Sequence, residues 1–401
     1  MIYRLIKYAF SEGLAKLAPL LTALYAAKFL DPDGFGTYSL ILTIYEIVVI
    51  AVSFNIQATT RIDFFKLEEV DFIKSKINHL IGSLFIFLLA LVLYSIFGYL
   101  YYYEILILLI SSLFRTISLF SLACYQCQRN ENIYIKTNLV YVVFLAISVV
   151  ILLNIDAGTM VFPIAVLLAS TLQALFVIFP NLSKIKNSSK FYYSNINVNN
   201  VRQYLLTAAV FFPAAIGWWL KSGLDRFIIE YNYGVVSLGV FALIFQLTSI
   251  ISMLVIILNL VFVPEINLLL KSRNVNKSIS LIWSQVIIVT AFSLIIPIAS
   301  SYLITNFYQE SYHIGTNYIA PLSLGFYVQS LIMILTTILY YHDKGKIVAK
   351  LIFIIFSSQS IFSYIIAERI NIELYVYISF SFNMILLFFV FKETRQCLKY
   401  R

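Results

Sequence analysis

The sequence predicts an all-α polytopic membrane protein, with about twelve transmembrane helices in two six-helix bundles related by a pseudo-twofold axis along the membrane normal. Three observations predict it. Of 401 residues, 61% are hydrophobic and 12% charged, about half the charged fraction of a soluble domain, and the mean hydropathy is +0.90. Apolar stretches of spanning length recur from end to end. The segments between them alternate between rich and poor in Lys and Arg. A soluble fold cannot hide this much apolar area, because surface-to-volume scaling leaves too much of it exposed. Lipid must be the solvent for most side chains.

A spanning helix needs about 20 mostly apolar residues. Candidates fall near 9–30, 37–58, 77–98, 104–125, 135–153, 159–180, 204–224, 235–262, 278–302, 317–338, 347–367 and 371–391. The first is expected to be a span and not a cleaved leader. Glu12 and Lys16 interrupt what should be an apolar core, and no small-residue cleavage site follows.

The connecting segments test this reading. With the N-terminus inside, the cytoplasmic segments hold Arg4 and Lys7; Arg61, Lys66, Lys74 and Lys76; Arg129 and Lys136; Lys184, Lys186, Lys190 and Arg202; Lys271, Arg273 and Lys277; Lys344, Lys346 and Lys350; and Lys392, Arg395, Lys399 and Arg401. Outer segments hold only Lys28, Arg226 and Arg369. A missed helix would invert the pattern from that point onward, so the asymmetry predicts both termini in the cytoplasm. It also accounts for the net charge of +9 without a nucleic-acid partner, since the basic residues form no single tract.

The longest polar break falls near the midpoint and reads as an exposed linker. The expected organisation is therefore an N-terminal lobe over 1–180, a cytoplasmic linker over 181–203 and a C-terminal lobe over 204–401. An even number of spans per half gives an axis along the membrane normal. A faint internal echo supports the division: Phe35-Gly36-Thr37-Tyr38-Ser39-Leu40-Ile41 opens the second span, and Leu238-Gly239-Val240-Phe241-Ala242-Leu243-Ile244 lies early in the eighth.

Few features suggest catalysis or metal binding. Three cysteines give no disulfide framework. Cys124 and Cys127 are spaced C-x-x-C at the end of an apolar helix without a surrounding βαβ pattern, which favours packing over redox chemistry. His79, His313 and His342 are scattered. Asn187-Ser188-Ser189 fits a glycosylation acceptor but falls in the cytoplasmic linker. No cofactor, metal or catalytic residue is expected.

Charges inside spans each need a reason, because one at mid-bilayer costs about 2.5–3.5 kcal/mol on insertion scales. Glu12 and Lys16 are four apart on the first helix, in ion-pairing order, with Pro19 one turn on. Glu46 lies mid-way along the second. Arg115 lies mid-way along the fourth, with Ser111, Ser112, Thr116 and Ser118 around it. Lys221 stands near the outer end of the seventh, after Trp218 and Trp219 and before Asp225 and Arg226. Structural readings compete: a surface ion pair for Glu12 and Lys16, a protonated or helix-bonded Glu46, and a Lys221 that snorkels to the interface. Arg115 is hardest to explain so, being permanently charged. Asn55, Gln57, Asn138, Gln173, Gln246, Asn259, Gln285 and Gln329 add amides within or at the edges of spans. Together they suit a water-filled cleft for hydroxyl-rich cargo.

At two places the sequence resembles Wzx-type polysaccharide flippases. Leu30-Asp31-Pro32-Asp33-Gly34-Phe35-Gly36-Thr37-Tyr38 is similar to that family's acidic-Gly-aromatic turn before G-x-Y. Leu224-Asp225-Arg226-Phe227, followed by Gly234 and Leu238-Gly239-Val240-Phe241, is similar to its D-R…G…G-x-Y/F signature, with Phe241 in place of the commoner Tyr. The resemblance implies the multidrug/oligosaccharidyl-lipid/polysaccharide exporter superfamily, a V-shaped pair of bundles and an undecaprenyl-pyrophosphate-linked oligosaccharide as cargo. It implies a monomer in the bacterial inner membrane, working beside polysaccharide polymerase and chain-length proteins. Lys16, Arg115 and Lys221 are then expected to meet the phosphates. Glu12, Glu46, Asp225 and Arg226 would support them or couple to protons, sodium or the membrane potential. A multidrug exporter of the same superfamily is the nearest rival. A polymerase or ligase fits less well, because the longest outer segment, 303–316, holds one His, one Glu and no Lys or Arg.

Overall fold

The structure, a computed structural model, describes residues 2–97, 101–128, 130–179, 198–209 and 212–399. Helices dominate, and no strand occurs among the described residues. They are α1 (Ile2–Phe29), α2 (Pro32–Ser53), α3 (Ile56–Lys66), α4 (Glu69–Phe97), α5 (Tyr102–Cys127), α6 (Glu131–Asn154), α7 (Val161–Ile178), α8 (Val198–Ala209), α9 (Phe212–Trp219), a π-helical turn (Leu220–Leu224), α10 (Asp225–Lys271), α11 (Val275–Phe307), α12 (Thr316–Tyr341), α13 (Gly345–Ala367) and α14 (Ile372–Lys399).

Local sequence sets the helix starts. At α2, Asp31 Oδ1 accepts the Gly34 amide at 2.8 Å, and Pro32 takes the first helical position, where its missing N–H costs nothing. Asn130, Asn274 and Asn371 cap α6, α11 and α14 by accepting from the amides of Ile133, Lys277 and Leu374. Pro19 lies inside α1, and the Thr22 hydroxyl donates to its carbonyl at 2.9 Å. The second expected span, 37–58, ends early. Phe54 and Asn55 have φ of 43° and 56°, which breaks the helix between α2 and α3.

Ten helical runs among the described residues are long and apolar enough to cross a membrane, with a shorter apolar run at Leu17–Phe29. The sequence expectation is twelve. One difference is α1, whose apolar run among the described residues is Leu17–Phe29. The other is Phe212–Lys271, a 60-residue run that covers two expected spans. At 1.5 Å per residue it would be about 90 Å long, roughly three bilayer cores. It breaks at Gly234, whose φ of 86° and ψ of 163° belong to a region essentially reserved for glycine. The seventh helix thus continues through Asp225 and Arg226 to Tyr233, where the sequence reading placed a loop.

The chain forms two compact units, Met1–Leu40 with Gly217–Arg401, and Ile41–Ile216. They do not coincide with the expected lobes, 1–180 and 204–401. The difference arises because α1 packs along α10 and the first turns of α2 dock there too, so both group with the C-terminal helices. The expected linker, 181–203, lies largely outside the described residues, as do Asn187 and Arg129; helix resumes at Val198.

In the first unit, α10, α12 and α14 carry the core, with Ile251, Val255, Ile332, Ile338, Leu386 and Val390 all but fully buried. In the second, α5, α6 and α7 pack together around Leu108, Leu145, Val149, Ala165, Val166 and Ala169. Large apolar side chains remain exposed along α4, α11 and α13, among them Phe85, Ile287, Leu294, Ile298, Ile361 and Tyr364, as lipid-facing helices require.

Candidate functional site

Of the three cations expected inside spans, one in each compact unit has a described side chain. In the second unit it is Arg115 on α5, half-buried. Its Nη1 donates to Gln173 Oε1 of α7 at 2.6 Å, and the guanidinium carbon lies 4.0 Å from the centre of the Tyr141 ring of α6. Gln173 is fully buried and its amide nitrogen donates to the Thr137 carbonyl at 3.0 Å. The amide is therefore used at both ends, and its oxygen is turned toward the arginine. Tyr45 of α2 stands beside Arg115 and Tyr141. The hydroxyls around Arg115 do something else. Ser111, Thr116 and Ser118 donate to the carbonyls one turn back, and Ser112 to that of Leu109. They satisfy themselves on α5, and the arginine's partners come from neighbouring helices.

In the first unit the cation is Lys221, on the π-helical turn. It is buried, so it does not snorkel to an interface. Its Nζ donates to Gln329 Oε1 of α12, and the rings of Trp218, Phe326 and Phe356 surround it at 5.7, 5.7 and 5.6 Å. One turn on, buried Asp225 accepts from Tyr375 Oη at 3.0 Å and Gln359 Nε2 at 3.2 Å. Arg226, also buried, donates to the Ser39 carbonyl of α2 at 3.3 Å, and its guanidinium carbon lies 5.2 Å from the centre of the Phe245 ring. Asp225 and Arg226 are thus helix-packing residues inside the first unit, not loop residues.

Glu46 is exposed on α2. Glu12 and Lys16 lie on α1, and their side chains fall outside the described residues. Cys124 and Cys127 are free thiols.

One charged cluster went unread. Lys76, expected in a solvated loop, is buried on α4. Its Nζ pairs with Asp63 Oδ2 of α3 at 2.7 Å and donates to Thr59 Oγ1 at 3.3 Å. His79, also buried, reaches Thr59 with Nδ1 at 3.4 Å and the Ser53 carbonyl with Nε2 at 3.3 Å. The network ties α3 back onto α4 just after the break at Phe54. The signal was Lys76 and His79 three apart, on one face of what becomes a helix.

A family profile described as "Polysaccharide biosynthesis protein" matches residues 5–270. No curated protein matches the chain. Among solved structures, the chain is similar to a multidrug resistance MATE family transporter of the MOP superfamily in its inward-facing conformation, with 13% identity, 96% of each chain covered and a TM-score of 0.73. The outward-facing conformation of such a transporter matches with 12% identity, 99% of this chain and 96% of that one, and a TM-score of 0.66. The Vibrio cholerae MATE transporter VcmN in the bent form matches with 15% identity, 100% and 97% coverage, and a TM-score of 0.59. With the profile covering well over half of its residues, the chain belongs to the polysaccharide biosynthesis protein family and has the MATE transporter fold.

Proposed function

We propose that the protein is a flippase that carries undecaprenyl-pyrophosphate-linked oligosaccharide from the cytoplasmic to the periplasmic leaflet of the bacterial inner membrane by alternating access, with both termini cytoplasmic. The observation that carries this reading is Arg115: a permanent cation on a membrane helix, incompletely covered and held by an amide and an aromatic ring. Sugars cannot cross about 30 Å of hydrocarbon unaided, since each unpaired polar group costs several kcal/mol there. A guanidinium matches phosphate oxygens in geometry and charge. An inside-negative potential favours outward movement of the anionic head by about 2.3 kcal/mol per charge per 100 mV. Lys16 remains a second candidate for the phosphates, and Glu12 and Glu46 candidates for proton or sodium coupling. Lys221, enclosed by Gln329 and three rings, would meet cargo only after a rearrangement. Replacing Arg115 with Ala should abolish surface polysaccharide at unchanged protein level; normal export by that variant overturns the assignment.

The similarity to multidrug transporters favours a second reading, export of small cationic compounds. A drug cation calls for an acidic site, whereas Asp225, the buried carboxylate of the first unit, is held by Tyr375 and Gln359. Drug susceptibility of an efflux-deficient host carrying this protein separates the two.

A further inference from the structure

We infer that Gln173 and Tyr141 are positioning residues that fix the plane of the Arg115 guanidinium, so that it takes a phosphate group through two parallel N–H···O bonds. The inference rests on the flippase reading and names how its ligand is selected. A guanidinium has five N–H donors in a rigid fork. Gln173 Oε1 takes one of them on Nη1, and the Tyr141 ring covers one flat face at 4.0 Å. The other donors of Arg115 have no acceptor among the described residues, and the side chain is only half-buried. One edge of the group is therefore fastened and one face covered, which leaves an edge of donors for two oxygens.

The fastening is itself fixed. Gln173 is fully buried and its nitrogen is spent on the Thr137 carbonyl. Turning the amide over would point its NH2 at the cation and its oxygen at a carbonyl, so only one orientation serves both neighbours. Tyr141 is likewise buried, and its ring stacks on a planar guanidinium in a way that a lysine ammonium cannot match. Selection follows from shape as much as charge. A fork held in one plane favours a tetrahedral anion with paired oxygens over a single-point anion or a neutral hydroxyl.

The test uses the full-length protein in lipid nanodiscs, with farnesyl pyrophosphate as charged probe and farnesol as uncharged probe, bound at equilibrium. Wild type is expected to prefer the pyrophosphate. Arg115→Lys, Gln173→Leu and Tyr141→Leu should each weaken farnesyl pyrophosphate roughly tenfold, the scale of one charge-assisted hydrogen bond, and leave farnesol unchanged. Tyr141→Phe, which keeps the ring, should restore tight binding, a rescue that a merely misfolded Tyr141→Leu protein would not explain. If Gln173→Leu and Tyr141→Leu bind the pyrophosphate as wild type does, while Arg115→Ala does not, the positioning role is overturned and the flippase reading stands. If wild type binds farnesol as tightly as farnesyl pyrophosphate, both are overturned.

Discussion

Gly36 and Gly239 each press onto the other's helix at the residue four places before the partner glycine. A Cβ on Gly36 would lie 2.8 Å from Val235 Cγ1, with the Val235 carbonyl oxygen closer still, and one on Gly239 would lie 2.6 Å from the carbonyl carbon of Pro32. Pro32 precedes Gly36 as Val235 precedes Gly239, so the contact is reciprocal, like an isologous interface within one chain. These glycines hold the same position in the two echoed segments, which gives the internal echo a physical meaning. Backbones this close admit no side chain. Gly239→Ala and Gly36→Ala should each lower stability by about 3 kcal/mol or more, seen as a fall in thermal midpoint in detergent.

Gly234 should fail for another reason. Nothing lies within 4 Å of its would-be Cβ, but its backbone conformation is closed to other residues. Gly234→Ala should cost about 1–3 kcal/mol, and repacking of neighbouring side chains should not recover it. A thermal series that adds Val235→Ala distinguishes Gly234→Ala from Gly36→Ala, since only the latter meets a side chain, that of Val235, that can be trimmed.

Lys221 and Gln329 should respond asymmetrically. Removing the amide by Gln329→Leu strands a buried ammonium and should cost about 3 kcal/mol, as breaking a buried polar pair does. Lys221→Met, of similar length and apolar like the rings around it, should leave the thermal midpoint nearly unchanged. Stable Lys221→Met protein that no longer exports polysaccharide would assign the lysine to transport.

The Asp63–Lys76 pair should behave as a buried ion pair. Asp63→Ala is expected to destabilise by about 3 kcal/mol, and Asp63→Ala with Lys76→Met to recover most of it. Hydrogen exchange in α3 reads the effect directly, because the pair joins α3 to α4.

Lys344 and Glu393 give a pH test at the end of α12. The carboxylate, accepting at 2.8 Å, holds the ammonium above its ordinary value of 10.5. A raised lysine pKa contributes stability that is complete below 10.5 and lost as pH climbs through the raised value. Wild type should therefore be more stable than Glu393→Gln at neutral pH, and on the alkaline side the difference should shrink in strongly alkaline solution, as the ammonium loses its proton.

Hydropathy made most helices legible, because lipid imposes one rule on every span. Arg115 was legible for the same reason, as a charge where none is tolerated. Its partners were not: Gln173 is 58 positions away, and Tyr141 looks like any apolar aromatic on a membrane helix. Asp225 and Arg226 misled by their charge, which resembles a loop until Ser39, Tyr375 and Gln359 are seen to receive them. Lys76 misled in the same way, its burial depending on an aspartate beyond a turn.

The π-helical turn at Leu220–Leu224 also sets a phase. An α-helix advances about 100° per residue, whereas the wider turn takes up its extra residue with little net rotation. Were these same residues wound as ordinary α-helix, everything downstream would swing by about that angle relative to everything upstream, and Lys221 and Asp225 could no longer face Gln329 and Tyr375 together. The surplus residue is therefore tolerated only because the turn widens around it, and that widening is what lets one helix address two different neighbours.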